Sequence, residues 1–193
     1  MKRVLFVCTG NTCRSPMAEG FFRLFAEESR LDVEVRSAGV SAVDGMQIST
    51  NAAVILRDKG AIPAVTSREL SAELTAWSDL ILTMTTSHKK EVIQQFPDAM
   101  DKTFTLKEFA WGDAITRAKM EAREQLISEL QIKQALQQPI TDAERQQLAK
   151  LEKEIPDMDI LDPFGRHLAV YRDCAAEIEA SVKRTIDRIQ DKL

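Results

Sequence analysis

A thiol and a guanidinium stand six positions apart near the start of this 193-residue chain, in Cys8-Thr9-Gly10-Asn11-Thr12-Cys13-Arg14-Ser15-Pro16. The thiolate is the nucleophilic form of cysteine, and a helix N-terminus with a cation nearby favours it. Arg14 offers a planar fork of donors that matches the oxygens of a phosphate-type anion. The Ser15 hydroxyl can hydrogen-bond a thiolate and make it a better leaving group. Together these residue types suit a nucleophile that attacks a tetrahedral anion and is later displaced from it.

Such a site needs a strand, a tight loop and a helix to hold it. Val4-Leu5-Phe6-Val7 is an apolar run without alternation, which reads as a buried strand of a parallel sheet ending at Cys8. Gly10 and Asn11 are the residues that most easily accept a positive φ. Pro16 suits a first helical turn, where its missing N–H is not needed. Loop N–H groups and the helix N-terminus would then converge on one concavity, an anion site. Two other readings use the same cysteines: Cys8 as a buried structural residue, and Cys13 as a metal ligand or disulfide partner. A Cys-x4-Cys pair lacks a second ligand pair, since only Cys174, His88 and His167 remain.

Composition narrows the class. One core and one domain, 1–193, suit this length. Hydrophobic content of 44% and charged content of 29% are ordinary for a globular protein. No apolar run approaches the ~20 residues of a membrane span. Met1-Lys2-Arg3 leads directly into the strand, so no signal peptide is expected. Three cysteines do not make a disulfide framework, and a reducing cytoplasm is expected. A net charge of -4 makes no case for nucleic-acid or membrane binding.

Further along, a helix is expected from Ser15 to Glu28, burying Met17, Phe21, Leu24 and Phe25. Val33 and Val35 alternate with Glu34 and Arg36 as a strand ending in Ser37-Ala38-Gly39. Ser49 caps a helix that reaches Lys59 and stops at Gly60. Ser71 starts a short helix ending near Trp77. Asp79 to Met84 is a second unbroken apolar strand, Ser87 to Phe96 a helix stopped by Pro97, and Phe104 with Leu106 a fourth strand. Alternating strands and helices predict an α/β fold: a three-layer arrangement with a four-stranded parallel sheet and helices on both faces. The Cys8 loop would lie at the carboxyl edge of the sheet, where such folds bind ligands. In the last helix, Leu168, Tyr171, Ala175, Ile178, Val182, Ile186, Ile189 and Leu193 form one apolar face. Cys174 falls on that face as core packing. His88 and His167 are isolated and read as surface positions without a role.

Residues 113–155 read almost entirely as helix. Ile115, Ala118, Ala122, Leu126 and Leu130 make one stripe, up to Gln138-Pro139. Thr141-Asp142-Ala143-Glu144 is a capping box that restarts a helix carrying Leu148, Leu151 and Ile155. We expect an inserted antiparallel helical hairpin, beside the pocket mouth, either packed on itself or serving as a lid or docking element. With seven Lys or Arg against eight Asp or Glu, it is not a basic nucleic-acid arm.

The stretch Cys8 to Pro16, with its preceding strand, resembles the phosphate loop of the low-molecular-weight protein tyrosine phosphatase family. Ser37-Ala38-Gly39 and the Asp79–Met84 strand are similar to that family too. The resemblance implies Cys8 as nucleophile and Arg14 as its phosphoryl clamp. It also implies substrate contacts from Thr9, Gly10, Asn11, Thr12, Cys13 and Ser15, and support of the loop by Ser37. Asp162-Pro163-Phe164-Gly165 matches the family's general-acid loop, with Asp162 as the acid. No metal or cofactor is expected, because Arg14 and the loop amides supply the positive charge. Cys13 is placed where it could form a reversible disulfide with Cys8.

Within the family, Thr12 and Asp162-Pro163-Phe164-Gly165 resemble the bacterial protein arginine phosphatase branch; tyrosine-specific members usually carry a bulkier aliphatic residue at the Thr12 position and a tyrosine after the proline. A carboxylate can pair with the guanidinium of phosphoarginine and Phe164 can stack on its plane. The expected activity is hydrolysis of phosphoarginine in proteins through a phosphocysteine. The alternatives are a protein tyrosine phosphatase, a thioredoxin-coupled arsenate reductase, or a non-catalytic anion-binding module. The reductase would need a cysteine pair late in the chain, where only Cys174 stands. Phosphorylated proteins are the expected partners, with no nucleic acid or membrane, and the chain is expected to be a monomer.

Overall fold

In a computed structural model, the structure describes residues 2–62 and 66–191. Four parallel strands form one sheet among them, in the order β2-β1-β3-β4: β1 Lys2–Cys8, β2 Val33–Gly39, β3 Leu80–Thr83 and β4 Thr103–Thr105. In the register of the sheet Cys8 pairs with Gly39, and Val7 with Thr83. The ends of the three strands therefore meet beside Cys8.

The apolar run of β1 is buried because both faces of the sheet are covered. Val4, Phe6 and Cys8 point into one core, shared with Met17, Phe21 and Phe22 of α1 (Arg14–Glu28), Leu56 of α2 (Thr50–Asp58) and Ile178 of α8 (Leu168–Gln190). Leu5 and Val7 point into a second core, with Leu74 of α3 (Ala72–Trp77) and Val92 of α4 (Thr86–Gln95). This is the period-two alternation of a strand applied to two apolar faces. Along α8, Tyr171, Cys174, Ala175, Ile178, Val182, Ile186 and Ile189 are all buried. Leu193 lies outside the described residues. No helix among the described residues is long and apolar enough to cross a membrane.

Ser49, Ser71 and Thr85 cap α2, α3 and α4 through their hydroxyls. The fourth strand is shorter than expected. Leu106 opens a helix, α5 (Leu106–Trp111), rather than belonging to β4. The cause is a capping box: Glu108 N–H donates to Thr105 Oγ1 at 3.1 Å, and the Glu108 carboxylate accepts from Thr105 N–H at 3.1 Å.

Residues Met1–Trp111 and Met158–Leu193 make one compact unit, and Gly112–Asp157 a second. The second unit holds α6 (Ala114–Ala135) and α7 (Asp142–Glu154). The Thr141–Glu144 capping box forms as expected. Lys133 pairs with Glu144 near the connecting turn, and Lys119 with Glu154 at the far ends, at 2.9 Å, so the two helices run antiparallel. The expected stripe on α6 holds in its second half, where Leu126 is buried and Leu130 half-buried, but not in its first. Ile115, Ala118 and Ala122 are exposed, and the buried residues are Met120 and Leu126. Two of those three positions are alanines, which bring little apolar area.

Candidate active site

The Cys8 loop joins β1 to α1. Its left-handed residue is Asn11, at φ 52°, not Gly10. Asparagine tolerates this region because its short side chain can bond locally, and here it bonds in three directions. Asn11 Nδ2 donates to Ser15 Oγ at 2.8 Å and to Ser37 Oγ at 2.9 Å, while Oδ1 accepts from Arg68 N–H at 2.8 Å. Ser37 in turn donates to the buried Glu19 carboxylate at 2.5 Å, and Arg23 pairs with the other Glu19 oxygen. Ser15 Oγ lies 3.0 Å from Cys8 Sγ. Because that oxygen already accepts from Asn11, its single proton is left for Cys8 or for the Ala38 carbonyl, which is 3.3 Å away.

Backbone contacts clamp the loop to the end of β2. Val40 N–H donates to Cys8 O at 2.9 Å and Ser41 N–H to Thr9 O at 3.0 Å. Gly39 is the residue that allows this approach: a Cβ there would overlap the Thr9 carbonyl oxygen and stand 2.9 Å from Asn11 N. From the other side, Ser49 N–H donates to Thr12 O at 2.8 Å.

Arg14 and Asp162 bring the second half of the site to the first. Arg14 Nη2 pairs with Asp162 Oδ2 at 2.8 Å, and Nη1 donates to the Ile160 carbonyl at 3.3 Å. The Arg14 side chain is buried, but that of Asp162 is 53% exposed. The other Asp162 oxygen accepts from Phe164 N–H at 3.1 Å, the local turn bond typical of aspartate. The Phe164 ring is 74% exposed. Thr12 is half-buried, with its hydroxyl 3.6 Å from Cys13 Sγ. Cys13, Cys8 and Cys174 are all free thiols.

So the structure bonds Cys8, Ser15, Asn11 and Ser37 into one network and Arg14 to Asp162 in a second, with Thr9, Gly10, Thr12 and Cys13 in the same loop as Cys8 and Arg14, and Phe164 two residues beyond Asp162. Four neighbours of these networks escaped the reading of the sequence. Tyr171, expected only as core, sets its hydroxyl 3.1 Å from Cys13 Sγ. Burial, then the Cys13 contact, pushes its phenol up to about 12. Cys174 donates its thiol proton to the Leu161 carbonyl at 3.3 Å, at the base of the Asp162 loop, and burial pushes that thiol up to about 12. Asp159 accepts from Thr86 N–H at 2.7 Å.

The fourth is a correction. His88, expected at the surface without a role, is buried, and both ring nitrogens are bonded: Nε2 to Thr9 Oγ1 and Nδ1 to Thr85 Oγ1, each at 2.8 Å. Burial, reinforced by Arg14, lowers its pKa to about 4, so the ring is neutral near pH 7. The available signal was position, because His88 lies in the first turn of the helix after β3, at the carboxyl edge of the sheet. His167, by contrast, is exposed at the start of α8.

Comparison with known proteins agrees with this geometry. The family model described as low molecular weight phosphotyrosine protein phosphatase matches residues 3–155, a stretch that ends before Asp162. Two curated relatives, each described as protein-arginine-phosphatase, match the chain through that loop. The one from Geobacillus stearothermophilus is 35% identical over 97% of this chain and 96% of its own length. The one from Bacillus subtilis (strain 168) is 36% identical, again over 97% of this chain and 96% of its own. Among solved structures, the YwlE arginine phosphatase from Geobacillus stearothermophilus superposes with a TM-score of 0.73 at 34% identity, covering 100% of this chain and 95% of that one. A strand-loop-helix anion cradle on a four-stranded parallel sheet, and family similarity along nearly the whole chain, identify this protein as a phosphatase belonging to the low molecular weight phosphotyrosine protein phosphatase family.

Proposed function

We propose that this phosphatase hydrolyses phosphoarginine in proteins. The observation that carries the reading is the pocket mouth: a half-exposed Asp162 carboxylate beside Arg14, with the ring of Phe164 exposed two residues away. A carboxylate and an aromatic face are what a planar cation needs, and the leaving group of phosphoarginine is a guanidinium. Thr12 supports the same reading, because a threonine leaves more room above the loop than a larger aliphatic side chain would. Two curated relatives similar over nearly their full length are described as protein-arginine-phosphatases, although a solved structure of comparable identity and coverage is described as a low molecular weight protein tyrosine phosphatase.

The proposed chemistry runs in two steps. The phosphoryl group sits on the loop amides and the Arg14 fork and displaces the Asp162 carboxylate from Arg14; the freed carboxyl takes up a proton from water while its other oxygen accepts from the substrate guanidinium N–H. Cys8 Sγ attacks phosphorus in line. The S–P bond forms, the P–N bond breaks, and protonated Asp162 gives its proton to the departing guanidine nitrogen. Water then attacks the phosphocysteine with Asp162 taking its proton. The S–P bond breaks, and Cys8 leaves as a thiolate held by the Ser15 hydroxyl. Inorganic phosphate is released and Asp162 is again protonated. The Asn11–Ser37–Glu19 chain keeps Ser15 aimed at sulfur throughout.

The test is kcat/KM on matched peptides carrying phosphoarginine or phosphotyrosine. The expected result is a preference for phosphoarginine of at least about tenfold, roughly 1.4 kcal/mol in the barrier. A preference of that size for phosphotyrosine would overturn the substrate assignment and leave the cysteine chemistry standing.

A further inference from the structure

The turn from β3 into α4 bonds to both halves of the site. Met84 O accepts from Ile160 N–H at 2.8 Å, and Thr86 N–H donates to Asp159 Oδ1 at 2.7 Å, so two consecutive residues at the base of the Asp162 loop hang on this turn. Two residues on, His88 reaches the opposite way, to Thr9, the neighbour of the nucleophile. Its second ring nitrogen rests on Thr85, whose oxygen also accepts the His88 N–H at 3.2 Å and caps the helix. Residues 84–88 therefore touch the phosphate loop and the acid loop within one helical turn.

A buried imidazole is a costly way to fill space, because burying polar nitrogens is penalised unless each finds a partner. A leucine or methionine would pack at less cost. What the ring adds is direction. A neutral imidazole needs one donor bond and one acceptor bond, and the two threonine hydroxyls supply them in either tautomer. Thr9 is otherwise exposed, and its carbonyl accepts from Ser41 N–H on the β2 side. The His88 bond pins the same residue from the α4 side. Thr9 is thereby fixed from two elements.

We propose that His88 is a positioning residue of this phosphatase: through Thr9 it sets the phosphate loop in register with the Asp162 loop, both being held by the 84–88 turn. This rests on Cys8 as nucleophile and Asp162 as acid. His88 touches neither, and acts through Thr9.

The two amide isosteres of histidine separate the bonds. Glutamine places its amide near the Nε2 position and can keep the Thr9 contact. Asparagine places its amide near Nδ1 and can keep only the Thr85 contact. With p-nitrophenyl phosphate as substrate and thermal melts confirming a folded protein, H88Q is expected to stay within about threefold of wild type in kcat/KM. H88N should fall by about tenfold or more although the helix cap survives. Thr9→Val, which removes only the partner hydroxyl of an exposed residue, should lose as much as H88N. The T9V/H88N double variant should lose no more than either single one, since both remove one bond. On phenyl phosphate, which needs its leaving group protonated, the H88N loss should be larger still.

Wild-type activity in H88N or in T9V overturns the proposal, as do losses that multiply in the double variant. An equal fall in H88Q and H88N would reduce His88 to packing and overturn it too. Cys8→Ser run alongside separates the levels. An active Cys8→Ser removes the reading beneath the proposal, whereas an inactive one beside a fully active H88N removes the proposal alone.

Discussion

The two halves of the site are built in opposite ways. In the phosphate loop Cys8, Asn11, Arg14 and Ser15 are all at most 5% exposed, and every polar side chain among them has a partner within the fold. In the Asp162 loop the side chain of Asp162 is 53% exposed and Phe164 is 74% exposed, and Asp162 is held by an ion pair to Arg14 and a local turn bond from Phe164 N–H. On the proposed mechanism the difference separates two tasks. An anion of fixed tetrahedral shape is met by a cradle that cannot relax, so its dipoles need no reorganisation during the reaction. A leaving group of variable shape is met by side chains that can still adjust.

The largest expected effect breaks the rigid half at its reacting atom. Cys8→Ser should lower turnover below roughly a thousandth of wild type while vanadate binding, read by calorimetry, stays within a few-fold. The amides and Arg14 remain to hold the oxyanion. Loss of vanadate binding as well would mean that the thiolate shapes the cradle, and the rigidity claimed for it would fail.

Next comes the adaptable half. Asp162→Asn should cost about a hundredfold or more with phenyl phosphate, whose leaving group must be protonated, and much less with p-nitrophenyl phosphate. Equal losses on the two substrates would assign Asp162 to holding Arg14 rather than to moving a proton.

A smaller effect lies at the border between the halves. Thr12→Ile places an extra methylene where the loop meets the leaving group, which is worth ~1–3 kcal/mol of discrimination. The ratio of kcat/KM on phosphoarginine and phosphotyrosine peptides should move toward phosphotyrosine by about tenfold. An unmoved ratio would locate selectivity wholly in Asp162 and Phe164.

The smallest concerns stability. The native His88 pKa is lowered from 6.5 to about 4 by burial and by Arg14, against the opposing pull of Asp162 and Asp159. The unfolded chain therefore takes up a proton first as pH falls. The stability linked to His88 is complete above about pH 6.5 and drains away toward pH 4. Over that window the melting temperature of wild type should fall more steeply than that of H88Q. Parallel slopes would show that position 88 does not stay neutral in the folded protein.

What could be read in the residues follows the range of the interactions. The strand-loop-helix around Cys8 was legible because Val4 to Pro16 are contiguous, and strand burial, left-handed Asn11 and Pro16 in the first turn agree with one another. The face of α8 was legible because seven large residues repeat at helical spacing. His88 was not, because its partner Thr9 is 79 positions away. The Tyr171 hydroxyl looked like core for the same reason, with Cys13 158 positions away. Leu106 departs, for a local reason, from the strand that the apolar pair Phe104 and Leu106 suggests: Thr105 to Glu108 is a capping box, which starts a helix there. On α6 the stripe was legible at Leu126 and Leu130, while its first half rests on two alanines and Ile115, which are exposed.

Gly39 has a consequence for any attempt to move this chemistry elsewhere. The nine-residue motif from Cys8 to Pro16 looks portable, a cassette to be grafted onto another strand and helix. Yet the backbone of a second strand lies so close to it that position 39 has no space for even a methyl group, and the obstruction is the loop's own main chain, which no change of rotamer can clear. A recipient scaffold would have to supply a bare glycine at the end of the neighbouring strand, in the register that pairs it with the cysteine. The transferable unit is therefore two strands and a helix. Drift in either partner is constrained by the other across 31 positions of chain.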